Sequence, residues 1–426
     1  MARFTSLVAR VERLEFGKSQ QGDPFFKVIK LLGGRLREFW FSLRDYKLAR
    51  EEIVAVLSVG EEPSPQYGWD DIEYVVEAIG PVLSIPTRPG LHEGRFILPN
   101  GQVLLGLVTD LPVFLPSADG SRLGLSVERG DFGGWRSIAD LAHGNPLLTM
   151  AIAFALTGPV AALLGIDAPR IQLVGSCGPV MSAVEDVVAA IWRRSRVQDP
   201  GYAQSWNQPQ NVLYRIAAER RHTMMVIDDA APTNADVGPD RQSGDAGHAS
   251  PLPNESDETT IGVGRATPIF SVSSDIAAAR ARRCGAVRGG LENRLIDIPL
   301  DDGRSWIEDL HGFPNKARFL SAFNRLVRKH SGFMASYIIE IFCDVVQNLN
   351  DFGSTLREHR NDYLRMGRNC FAGMGEHTTR HETFATIFAA GTGLLVNFVR
   401  PLELSDLTES LLVCEAAAIK TANEGF

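Results

Sequence analysis

Three short apolar runs, IQLVG (171–175), TMMVIDD (223–229) and PIFSVSS (268–274), each end in small or polar residues and are bounded by turn chemistry. Short buried strands alternating with helical stretches predict a parallel or mixed sheet covered by helices, from about residue 125 to 315. Upstream, FFKVIKLLGGRLREFWFSL predicts two strands joined at Gly33-Gly34, and RFILPNGQVLLG predicts a hairpin turning at Asn100-Gly101. Between them DYKLAREEIVAVLSVG has helical periodicity and stops at Gly60, so residues 1–118 are expected to form an α+β module. From 316 to 426 the pattern is helical, with amphipathic stretches around 317–349 and 381–420.

Two segments break the alternation. Leu147 to Ile166 is apolar over the length of a membrane span, but a Gly-Pro pair interrupts its middle and a strand follows at once. A buried helix pair is the expectation, and no membrane partner. Ala230 to Ala266, rich in Pro, Gly, Asp, Ser and Asn, lacks apolar periodicity and is expected to be a disordered acidic insertion within the 125–315 core.

Composition adds little until charge is located. The 426 residues are 44% hydrophobic and 22% charged, which is ordinary for a globular protein long enough for two or three compact units. Net charge is −8, yet Asp228 to Glu258 alone holds eight acids against Arg241, a net of −7. The rest is close to neutral, so charge does not argue against a nucleic-acid partner. Five scattered cysteines without CxxC spacing, and no apolar leader in MARFTSLVARVERLEF, point to reduced thiols and a cytoplasmic protein.

The candidate chemistry begins after IQLV. A phosphate-binding loop follows a buried strand, opens a helix and reads GxxxxGK[ST]. Here the run is Gly175-Ser-Cys-Gly178-Pro-Val180-Met181-Ser182, followed by the helix AVEDVVAAIWRR. The first glycine, the spacing and the final hydroxyl fit; Val180 replaces the second glycine and Met181 the lysine. Alone, this spacing is weak and favours a plain strand-to-helix turn. TMMVIDD adds Asp228, suited to magnesium, and Asp229, where an acid would polarise the attacking water. Ser273 and Ser274 end a third strand near where a γ-phosphate would sit. Arg294, before LIDIP, fits either an arginine finger or a surface arginine. The basic run with Arg280, Arg282, Arg283 and Arg288 fits either a channel that grips DNA or a solvated helix face.

These residues and their flanks resemble the family named domain of unknown function 927, an AAA+ helicase-like group of bacterial mobile elements related to MCM-type helicases. The similarity runs from RPGLHEGRFILPNGQVLLG through GNPLLTMAIAFALTGPVAALLG, IQLVG and YAQSWNQPQNVLYRIAAERRHTMMVIDDA. It resumes at IFSVSSD, ENRLIDIP and DLHGFPNKARF, and fades in HTTRHETFATIFAAGTGLL. The resemblance implies an α/β fold: a P-loop NTPase core of AAA+ type with an N-terminal α+β module and a helical C-terminal region. It implies a homo-oligomeric ring, such as a hexamer, that acts on DNA or with a helicase or replication partner. By position it assigns Gly175, Gly178, Ser182, Ser273 and Ser274 to nucleotide, Asp228 and Ser182 to magnesium, and Asp229 and Arg294 to catalysis.

ATP and magnesium are the cofactors implied, and the departures weaken their use. Met181 removes the cation on the outer phosphates, Val180 blocks close backbone approach, and Asp229 is one methylene shorter than the usual glutamate. Phosphoryl transfer rests on positioning and charge stabilisation, and one lost contact typically costs about 100- to 1000-fold. The expectation is a degenerate site with weak or no hydrolysis. The competing expectations are an active ATPase using another cation (Arg170, Arg193 or Arg294), or an interaction platform using the acidic segment.

Overall fold

The computed structural model of the protein describes residues 13–19, 24–32, 35–42, 83–85, 90–92, 95–97, 103–104, 130–176, 178–192, 203–228, 265–274, 295–334, 337–338, 349–372, 378–399 and 403–423. The chain divides into two units, Met1–Arg88 with Val108–Gly120, and Pro89–Leu107 with Ser121–Phe426.

In the first unit, β1 (Arg13–Ser19), β2 (Pro24–Leu32), β3 (Arg35–Ser42) and β4 (Leu83–Ile85) form a sheet of order β3-β2-β1-β4. Leu32 pairs with Arg35 across the antiparallel β2–β3 ladder, so only Gly33 and Gly34 separate the strands in sequence, as the pattern predicts. The helix expected over 45–60 lies outside the described residues, as does the acidic insertion up to residue 264.

The second unit opens with a small antiparallel sheet of β5 (Gly90–His92), β6 (Arg95–Ile97) and β7 (Val103–Leu104). The β6–β7 pair is the hairpin expected around Asn100-Gly101.

The centre of this unit is a parallel sheet of β8 (Arg170–Val174), β9 (Met225–Asp228), β10 (Ile269–Ser273) and β11 (Ile296–Pro299), in the order β11-β8-β10-β9. Beyond β9, Gln204 adds a parallel bridge to Ile227. Alternate residues divide the two faces. Ile171, Leu173, Val226, Phe270, Val272, Ile296 and Ile298 enter the main core. Met225, Ile227 and Ile269 join a smaller cluster with Trp206, Leu213 and Ile216. That second face also carries the buried polar side chains Gln172, Ser271 and Asp297. The Trp206 indole N–H donates to Ser271 Oγ at 2.9 Å, so this face is knitted by polar as well as apolar contact.

Helices α1 (Phe132–Ala142), α2 (Pro146–Ala155), α3 (Thr157–Leu164), α4 (Gly178–Trp192), α5 (Gln210–Glu219) and α6 (Lys316–Lys329) surround the sheet. α2 is buried at every position, α4 packs on α2 and α6, and α5 carries the smaller cluster. α2 and α3 are the predicted buried pair, bent by 52°. Pro146 opens α2, and Gly165, at φ +67°, ends α3 in the left-handed region. Among the described residues no single helix is long and apolar enough to cross a membrane.

The described residues of the C-terminal part are mostly helical, as expected. Among the described residues this part includes α7 (Leu349–Cys370), α8 (Thr378–Ala390) running into a π-helical segment (Gly391–Val399), and α9 (Leu404–Asn423). α9 packs on α2 and β11, so this region shares the main core with the sheet.

Candidate functional site

The strand register brings three of the predicted residues to one edge. Val174 pairs with Ser273 on one side and Pro299 on the other, while Val272 pairs with Asp228. Gly175, Ser273 and Asp228 therefore stand at the carboxyl ends of three adjacent parallel strands, where open α/β sheets bind ligands. Ser273 and Asp228 are buried; Ser274 and Ser182 are exposed. Asp228 shares the sheet face of Val226, two residues earlier, which is the face that α4 covers.

Between β8 and α4 the structure departs from an open phosphate loop. The helix begins at Gly178, five residues earlier than AVEDVVAAIWRR suggests, so only residues 175–177 connect strand to helix. Pro179 suits a first helical turn because its missing N–H would be unpaired there anyway. Val180 and Met181 are each 7% exposed and belong to the main core. The position where a lysine would reach outward is thus an inward-packed thioether.

Three amides around this connection, those of Gly175, Ser176 and Gly178, are already engaged. Gly175 N–H donates to the Ser273 carbonyl at 3.0 Å, and Gly178 N–H to the Ser176 carbonyl at 2.8 Å. Ser176 gives its N–H to Asp301 Oδ2 at 2.8 Å and its hydroxyl to Asp301 Oδ1 at 2.9 Å. Asp301 follows β11, so its carboxylate ties this connection to the strand beside β8. The fit is close: Gly175 has φ +143°, and a Cβ there would stand 2.9 Å from Asp301 Oδ2. Among the described residues of the connection, the N–H groups of Gly175, Ser176 and Gly178 are thus bonded within the chain.

One candidate is not brought to this edge, and others fall outside the described residues. Arg170, a proposed substitute cation, begins β8 rather than ending it, one strand length of about 13 Å from Val174. Asp229, Arg193, Arg294 and the basic residues Arg280, Arg282, Arg283 and Arg288 lie outside the described residues. Among the described residues no cluster of His, Cys, Asp and Glu could hold a metal ion.

Two residues of consequence escape motif reasoning. Asp301 offered only a faint signal, an acid just past IDIPL. Asn145, fully buried, ties two segments of the family resemblance together. Its Oδ1 accepts from Glu308 N–H at 2.9 Å and Asp309 N–H at 3.2 Å, and its Nδ2 donates to the Asp309 carbonyl at 3.0 Å. GNPLL and DLHGF are therefore joined by a structural bolt. His311 Nε2 adds a 2.9 Å contact to the His143 carbonyl.

Residues 73–237 match the family described as domain of unknown function (DUF927). This matched span includes β8, α4 and β9. A solved structure titled "SCCmec type IV Cch - active helicase" is similar, with a TM-score of 0.60 and 12% identity over 97% of this chain and 76% of that one. At that identity the likeness is one of fold. No curated protein matches the chain.

Proposed function

We propose that this chain is an AAA+-type, helicase-like protein of a mobile element that engages DNA or a replication partner and hydrolyses ATP weakly or not at all. The DUF927 match and the helicase-like fold support the class of protein. The observation that carries the catalytic half is the closed connection at residues 175–178: Asp301 holds Ser176, Gly178 N–H is bonded locally, and Met181 is packed inward. An ATPase stabilises transferred charge with free amides, a lysine and magnesium. In this reading Asp228 and Ser182 would serve the magnesium side, while the Ser176–Asp301 contact and the inward Met181 stand against a phosphate site.

The test is titration of the full chain with a fluorescent ATP analogue, with and without magnesium, beside the Val180→Gly/Met181→Lys double variant. Binding restored only in the variant supports a dead loop in a retained scaffold. Robust ATPase activity of the unaltered protein, abolished by Asp228→Ala, would overturn it.

A further inference from the structure

Helix α6, KARFLSAFNRLVRK, contains five basic residues and no acid. Its apolar side is anchored: Phe319 and Phe323 are fully buried, and Leu320 and Val327 lie with them in the main core. At about 100° per residue, Arg318, Arg325 and Lys329 fall within a sector of roughly 40° facing directly away from that core. All three are exposed, with Ser321 beside them, and among the described residues none of the three forms an ion pair. From Arg318 to Lys329 the row extends about 16 Å.

A face that serves only to be wetted usually interleaves signs. The other exposed helices here do so: α7 sets Glu358 and Asp362 among its arginines, and α9 carries Asp406, Glu409 and Lys420. α6 is also held rigid at both ends. Asn315 caps it by accepting from Arg318 N–H at 3.0 Å, and Arg328 pairs with Asp186 of α4 at 3.2 Å. His330 at its end accepts from Asp131 N–H at 3.2 Å and gives its carbonyl to the Trp135 indole at 2.6 Å. A row of cations on a fixed rod, spaced by one to two helical turns, suits a partner with regularly repeated negative charge and no required base contact.

We infer that the Arg318–Arg325–Lys329 face of α6 is a docking surface for the phosphate backbone of DNA, which rests on the proposed function and gives its DNA contact a place in the described fold. Binding is sequence-independent and salt-sensitive, because each phosphate neutralised releases condensed counterions.

The experiment measures full-chain binding to a fluorescein-labelled DNA duplex and to its single strand across a salt series. The R318E/R325E/K329E variant is compared with R357E/R365E/R368E, which alters net charge equally at three exposed arginines of α7. An alanine triple at the α6 positions guards against a folding defect, with thermal melts for each. The α6 reversal is expected to weaken binding at least about tenfold and to flatten the log–log salt slope by about two to three, whereas the α7 reversal leaves the slope unchanged. Equal loss in both reversals, or none in the α6 variants, overturns this surface while leaving DNA binding intact. Absence of DNA binding by the unaltered chain overturns both the surface and the DNA half of the proposed function. Loss confined to anionic phosphatidylglycerol vesicles, with DNA binding unaffected, assigns the stripe to membranes and overturns it too.

Discussion

Leu91 N–H donates to His222 Nδ1 at 3.0 Å, so β5 hangs on a histidine ring acting as acceptor. That role requires the neutral ring, and burial, with Arg221 and His92 adding to it, pushes the His222 pKa from 6.5 down to about 3. His222 itself has φ +60°, and Gly90 lies so close that a Cβ there would meet the ring at 2.5 Å.

A pH dependence follows. The unfolded chain takes up a proton on His222 near pH 6.5 and the folded one only near pH 3. The stabilisation is therefore complete above about pH 6.5 and declines as pH falls toward 3, by on the order of 1–2 kcal/mol at pH 5. His222→Asn, whose side chain accepts a hydrogen bond and tolerates positive φ, should lose less stability between pH 7 and pH 5 than the unaltered protein. Urea midpoints at both pH values decide it; an identical drop in both proteins rejects the role of His222.

Asn145→Ala should destabilise the second unit by about 2–4 kcal/mol, since it orphans buried groups on two segments at once. Asn145→Asp keeps the acceptor for the 308–309 amides but loses the donor to the Asp309 carbonyl, and should also be destabilising. Denaturant unfolding measures both; a change within about 0.5 kcal/mol for Asn145→Ala would contradict the bolt.

Gly175→Ala should cost about 1–3 kcal/mol, because φ +143° strains any Cβ and that Cβ meets Asp301. Asp301→Ala alone should cost under about 1 kcal/mol, being an exposed charge–amide contact. The double variant should be less damaged than the sum of the two, since removing the carboxylate relieves the crowding. Strict additivity would place Asp301 away from the turn in solution.

Glu415 is fully buried in α9, where it accepts from the Tyr363 hydroxyl at 2.8 Å and contacts His381 Nδ1. Burial, then the Glu415 charge, raises the Tyr363 pKa, while burial together with Arg368 and Arg380 lowers that of His381. Tyr363→Phe should cost about 1–2 kcal/mol by removing a donor from a buried carboxylate. Glu415→Ala should cost more, about 3–5 kcal/mol. The reverse ranking in thermal or denaturant unfolding would show that Glu415 is held by something else.

How far the candidate site was legible depends on which residue is asked about. Gly175, Asp228 and Ser273 end apolar runs, and strand-end residues of adjacent parallel strands must come level, so their meeting could be read from pattern. Asp301 could not, because its partner Ser176 lies 125 positions away and nothing in either neighbourhood names the other. Arg170 misled in the same way. Its charge is plain in the sequence, but its place at the start of β8 puts it at the far end of the strand from the connection.

Local periodicity determined the buried α2–α3 pair, the β2–β3 and β6–β7 hairpins, the short parallel strands and the helical C-terminal part, because each answers to spacing within a few residues. It also displayed the absence of a lysine at Met181. Only the tertiary structure shows where Met181 goes, inward into the main core. Helix α4 starts early because Val180 and Met181 gain more from burial in the core than they would in an open turn, and Asp301 arrives through the β11–β8 pairing to take the amide left facing out. Those are competitions between distant groups for the same space and the same hydrogen bonds, and no window of the chain contains both contestants.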